Sequence, residues 1–129
     1  MIVDTSALLA ILSNEPQARR CARAIARAPG WRMSAANFLE AAVVVDTRGD
    51  AVARRRFDDV FRAAAIAVEP VTEAHARIAR EAYRDFGRGS GHPARLNFGG
   101  CFAYALARES DEPLLFVGDD FVHTDVVPA

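Results

Sequence analysis

"MIVDTSALLAIL", residues 1–12, decides the fold. A short apolar run, the pattern of a strand buried on both faces, ends at Asp4. Thr5 and Ser6 then open an apolar helical stretch, and hydroxyls at such a junction are cap residues. A strand that passes directly into a helix is the first half of a β–α unit.

The same alternation continues along the chain. Asn14 and Pro16 are expected to open a second helix, "EPQARRCARAIARA" (15–28), with Ala18, Cys21, Ile25 and Ala28 on one face and Arg19, Arg23 and Arg27 on another. "PG" at 29–30 closes it. "WRMSA" (31–35) is a weak second strand, followed by the helix "NFLEAAVVVDTRG" (37–49). A helix over about 50–65 carries Ala53, Phe57, Val60, Phe61 and Ala64 at helical spacing. "AIAVEPV" (65–71) reads as strand three and 73–85 as a helix. The turn-rich "GRGSGHPARLN" (87–97) leads to a helix in which Phe98, Cys101, Phe102, Ala105 and Leu106 share a face. "PLLFVG" (113–118) is strand four, and "DVV" (125–127) a short fifth. Apolar strands alternating with helices predict an α/β fold: a central, mostly parallel sheet of four to five strands covered on both faces. In such folds ligands bind beyond the carboxyl ends of the strands.

With 129 residues, 51% of them hydrophobic, the chain fits one domain over 1–129. A formal charge of −1 gives no overall attraction to nucleic acid or to an anionic membrane. All 16 basic residues are arginines. Without lysine, a GxxxxGK[ST] phosphate loop, a Schiff-base lysine and a receiver-type phospho-acceptor pocket are excluded. Cys21 and Cys101 lie on apolar helical faces and are expected to be reduced core residues. No charged leader with an apolar stretch behind it and no run of 18 apolar residues is seen, so a cytoplasmic location with no membrane contact is expected.

Carboxylates fall where ligands bind. Asp4 closes strand one, Asp119 and Asp120 follow strand four, and Glu40 sits inside "NFLEAAVVV" after strand two. Each has a purely structural alternative: Asp4 as a helix cap, Asp119–Asp120 as caps of "DDFVHTD", Glu40 as an exposed residue on a buried helix. Glu40 is the hardest to dismiss, because an ionised carboxylate among apolar neighbours needs a partner or a cation. If the acids converge, like charges about 4 Å apart repel by roughly 4 kcal/mol per pair at an effective dielectric near 20. A divalent cation relieves that repulsion, and an oxygen-only donor set suits Mg²⁺ or Mn²⁺. Metal-dependent phosphodiester hydrolysis follows as the expected chemistry.

"MIVDTSALLAIL", "SAANFLEAAVVV", "LNFGGCFAYALA" and "LLFVGDDFVHTD" together resemble, in order and over nearly the whole chain, the four blocks of the PIN-domain ribonucleases, most of all the VapC toxins of bacterial toxin–antitoxin (VapBC) pairs. The resemblance implies a PIN-like three-layer α/β/α sandwich and a cluster of three or four acids binding Mg²⁺ or Mn²⁺. It further implies endonucleolytic cleavage of RNA, often transfer or ribosomal RNA, by a metal-activated water. A homodimer and inhibition by a cognate VapB-type antitoxin, with no nucleotide cofactor, complete the expectation. Carried over residue by residue, Asp4 and Glu40 match the first two acids. Asp119 or Asp120 supplies the fourth, the choice between them left open, and Thr5 and Ser6 match the hydroxyls beside the first. The third acid departs: Gly100 stands where the family's block has a metal-binding aspartate. Glycine in a helix's first turn has no evident packing merit and costs up to about 1 kcal/mol against alanine. The chain is therefore expected to be impaired as a nuclease.

Arg88, His92 and Arg95, on the loop before this helix, are candidates for RNA contact, as are Arg54–Arg56 and the helix-two arginines. His75, His92 and His123 have no zinc-ligand spacing. Trp31 and Phe38 are expected in the core or a partner groove. The competing reading is a non-enzymatic module that keeps the fold and acts through antitoxin binding and promoter regulation. An aspartyl-nucleophile phosphatase is disfavoured, since "VDTSA" lacks a second aspartate two residues after the first.

Overall fold

The structure is a computed structural model that describes residues 1–28 and 30–129. Its sheet is β1 (Ile2–Val3), β2 (Arg32–Ser34), β3 (Ala67–Glu69) and β4 (Leu114–Leu115), all parallel, in the order β3-β2-β1-β4. Ile2 lies opposite both Arg32 and Leu114, and Val3 opposite Leu115. The strands are two or three residues long, yet the two-residue side-chain period divides them cleanly. Ile2 and Leu114 face one core with α5 (Glu73–Phe86) and α6 (Phe98–Ser110). Val3, Leu115 and Met33 face the other, with α1 (Thr5–Leu12), α2 (Ala18–Arg27), α3 (Ala35–Thr47) and α4 (Ala51–Ala64). The expected three-layer sandwich is therefore present. Cys21 and Cys101 are free and buried, one in each core.

Local chemistry sets the helix starts. The side chains of Asp4, Ser34, Asp50, Thr72 and Asn97 each accept a backbone N–H at the start of α1, α3, α4, α5 and α6. At α5 the box is closed by His75, whose Nδ1 accepts the Thr72 N–H. Helix two starts later than expected. Asn14 takes φ +53°, so the chain turns before the helix, and α2 begins at Ala18 with no side-chain cap. The expected closure at 29–30 falls partly on Pro29, outside the described residues. The fifth strand is reduced to a single bridge, Leu114 with Pro128, on the open edge of β4. Trp31 is a core residue, 1% exposed, and Phe38 stacks with Phe57 and Phe61.

The strand order carries the functional consequence. From β1 the chain moves outward through β2 and β3, then returns to place β4 on the opposite side of β1. Connections diverge at the carboxyl ends of β1 and β4, opening a crevice there. No described helix is long and apolar enough to cross a membrane.

Candidate active site

Asp4 leaves β1 at that crevice and caps the helix that follows, as one of its two readings expected. Its Oδ2 accepts the Ser6 N–H (2.9 Å) and the Ser6 hydroxyl (2.6 Å), capping α1. It also lines a cavity of about 220 Å³. Burial pushes the Asp4 carboxyl above its usual range, the Ser6 hydrogen bonds oppose that, and the Glu40 carboxylate adds to the rise. Two acids drawn from elements far apart in sequence therefore feel one another's charge.

Glu40 reaches the crevice from α3 because it lies one helical turn beyond Asn37 on the face that packs against α6. Its Oε2 accepts the Thr5 hydroxyl at 2.6 Å and, more distantly, Asn37 Nδ2 at 3.4 Å. Asn37 is fully buried, and its Nδ2 also donates to the Gly99 carbonyl at 2.9 Å. Glu40 is therefore held at the first turn of α6, where the helix N-terminus favours negative charge. Gly99 makes that approach possible. A Cβ at 99 would lie 2.6 Å from Glu40 Oε2 and 2.7 Å from its Cδ.

The third side of the cavity comes from the turn after β4. Gly118 takes φ +96°, a conformation other residues rarely adopt. The chain beyond it turns back so that Asp120 and Phe121 line the cavity, while Asp119 is exposed and does not. Ser6 ties this turn to α1, since its hydroxyl oxygen accepts the Val117 N–H at 3.0 Å while its proton goes to Asp4. Thr5 and Ser6, expected beside the substrate, thus have their hydroxyls engaged in aligning Glu40 and Asp4.

Gly100 also lines the cavity, but it does not leave a hole of side-chain size. A Cβ there would lie 2.8 Å from Leu96 Cδ1, 3.1 Å from Asn97 Oδ1 and 3.3 Å from Phe121 Cζ. The expectation that this glycine has no packing merit is corrected: its neighbours have closed around it. Arg88, His92 and Arg95 do not line the cavity. Their loop is folded onto itself by the Arg88 N–H bond to the Leu96 carbonyl, and the His92 ring packs on Phe86. Asn37 and Asn97 were overlooked as site residues. Each left a signal: a polar residue in the apolar run before Glu40, and a cap residue directly before α6.

Asp4, Glu40 and Asp120 line this cavity, and oxygen ligands of that kind suit Mg²⁺ or Mn²⁺, while the Asn97 amide oxygen is taken by the Gly100 N–H at 2.6 Å. In number these ligands fall short. Among the described residues no three His, Cys, Asp or Glu side chains stand close enough to grip one ion.

A parallel sheet with order β3-β2-β1-β4 and acids at its switch point defines the class, and the PIN domain model matches residues 1–127: the chain belongs to the PIN-domain family. Within that family its relatives are VapC proteins. It is 56% identical over 126 residues to VapC ribonuclease Mb0625 of Mycobacterium bovis and to ribonuclease VapC28 of Mycobacterium tuberculosis, covering 98% of this chain and 95% of each relative. Ribonuclease VapC42 of Mycobacterium tuberculosis is 50% identical over 129 residues, covering 100% of this chain and 98% of the relative. The fold is similar to that of the sarcin–ricin-loop-cleaving toxin VapC20 of Mycobacterium tuberculosis, with TM-score 0.76, 18% identity, and coverage of 99% of this chain and 97% of the other.

Proposed function

We propose that this chain is a VapC-type endoribonuclease toxin that depends on Mg²⁺ or Mn²⁺ and is weakened by the glycine at 100. The observation that carries the reading is the convergence of Asp4, Glu40 and Asp120, from three separate elements, on one cavity at the sheet's switch point. Support for the chemistry comes from full-length relatives named ribonucleases. A bound divalent ion would supply Lewis acidity and a nucleophile from water at neutral pH. Asp4 and Asp120 are the residues proposed to hold it, with Asp119 an outer partner of the same turn. Glu40, aligned by Thr5 and Asn37, completes the negative wall that favours the ion over bulk solvent. A cognate VapB-type antitoxin, a second copy of the chain and a transfer or ribosomal RNA are the partners this reading requires.

A second reading is favoured by the packing at Gly100. Leu96, Asn97 and Phe121 occupy the surroundings of the missing ligand, which suits a module retained for antitoxin binding and promoter regulation. Comparing the chain with its Gly100→Asp variant separates the two. The nuclease reading expects Mg²⁺-dependent cleavage of total RNA by the variant, growth arrest on its induction, and loss of both when Asp4→Asn is added. No cleavage and no arrest by the Gly100→Asp protein would leave the binding module.

A further inference from the structure

We infer that α2 carries a docking track for a single-stranded RNA backbone, leading away from the acid cavity along the flank of the sheet. Four of its ten residues, Arg19, Arg20, Arg23 and Arg27, are exposed arginines, and it contains no acid. Arg20, Arg23 and Arg27 recur at i, i+3 and i+7, which places them on one face over about 10 Å of helix. They converge on one groove of about 520 Å³ that also includes Ala24 and Trp31. Ligand clefts commonly measure about 300–1,000 Å³.

The groove connects to the cavity. Arg20 Nη2 donates to the Phe116 carbonyl at 2.8 Å, and the next residue, Val117, lines the acid cavity. At the other end the groove reaches Met1 and Trp31, which precede β1 and β2. The track therefore runs from the carboxyl ends of the strands to their amino ends.

Ala129 also lines the groove, and among the described residues no acidic side chain does. Arg32, Arg54, Arg62, Arg77, Arg84 and Arg108 are all in ion pairs, but among the described residues no ion pair engages Arg19, Arg20, Arg23 or Arg27. Glu112, near the far end, is taken by Arg32 and the Met1 ammonium. A chain of net charge −1 thus concentrates unpaired guanidinium groups beside its acid cavity. Guanidinium forks match phosphate oxygens in geometry as well as charge. The choice of RNA over another polyanion rests on the nuclease reading; the track itself rests on the geometry of α2.

Binding of a fluorescein-labelled, mixed-sequence single-stranded RNA by the unaltered chain in EDTA, followed by anisotropy over a salt series, tests it. For the triple variant Arg20→Gln, Arg23→Gln, Arg27→Gln the slope of log K against log salt should shrink by about 2. Arg23→Gln with Arg27→Gln, which removes no hydrogen bond found among the described residues, should shrink it by about 1.4. Arg62→Gln, Arg77→Gln, Arg80→Gln removes the same charge from other helices and should leave it unchanged. An equal change in this control, no change in either α2 variant, or no RNA binding by the parent would overturn the track. So would an unchanged RNA slope in α2 variants that lose binding to polyglutamate, which would give the surface to an acidic protein segment. Cleavage by the Gly100→Asp protein judges the nuclease reading separately: cleavage with an unchanged slope removes only the track, and a track-dependent slope without cleavage removes only the nuclease.

Discussion

Gly99→Ala should change sign depending on whether Glu40 is present. In the unaltered chain the new methyl would meet the Glu40 carboxylate, 2.6 Å from Oε2 and 2.7 Å from Cδ. Ordinary carbon contacts lie at about 3.5–4.0 Å, so the carboxylate must retreat by roughly 1 Å. That retreat breaks the 2.6 Å bond from Thr5, a charge-assisted hydrogen bond of the kind worth about 1.5–3 kcal/mol. Alanine returns up to about 1 kcal/mol over glycine in a helix. The single variant should therefore lose about 1 kcal/mol, or roughly 3–5 °C in Tm for a domain of this size. In a Glu40→Ala background the obstruction is gone, and Gly99→Ala should instead stabilise by up to about 1 kcal/mol. Urea unfolding of the four proteins measures the coupling, expected near 2 kcal/mol. Equal effects of Gly99→Ala in both backgrounds would refute the close approach of Glu40 to α6.

Other outcomes follow from the same contacts. Ser6→Ala removes the acceptor of the part-buried Val117 N–H and the hydroxyl bond to Asp4 Oδ2, leaving the backbone N–H bond, and should cost about 1–3 kcal/mol by urea unfolding; a loss under 0.5 kcal/mol would mean the β4 turn is not tied to α1. Burial pushes the Cys101 thiol up to about 11. Because the folded state holds that proton more tightly than the unfolded state, stability should fall as pH rises from about 9 through 11, and alkylation at pH 8 should require denaturant; rapid native-state labelling would contradict this. Thr72→Ala should cost about 1 kcal/mol by opening the Thr72–His75 capping box at α5, and a thermal melt unchanged from the parent would count against it.

The layered plan could be read because it depends on patterns that survive without tertiary context: apolar strands entering helices, and cap residues such as Asp4. The site was only partly legible. Asp119 and Asp120 are adjacent and chemically alike, and the backbone turn at Gly118 selects Asp120 for the cavity. The roles of Thr5 and Ser6 as aligners depend on Glu40 and Val117, residues 35 and 111 positions away along the chain. The closing of Leu96 and Phe121 around Gly100 is a packing event that no spacing encodes. The start of α2 was misplaced because Asn14 is a good cap residue that here adopts a left-handed turn instead.

Calorimetric titration of Mn²⁺ into the chain, into Gly100→Asp, and into Gly100→Asp with Asp4→Asn tests the shared-cavity account most directly. The aspartate must move Leu96, at a cost of about 0.5–1.5 kcal/mol, and it adds a carboxylate to a cavity where like charges about 4 Å apart repel by roughly 4 kcal/mol, against a gain of about 0.3–1 kcal/mol at the helix N-terminus, so the metal-free variant should be less stable and Mn²⁺ should offset the loss. A restored ligand is expected to tighten Mn²⁺ by at least about 10- to 100-fold over the unaltered chain, and Asp4→Asn should undo the gain. Equal Mn²⁺ affinity in all three proteins would contradict the account.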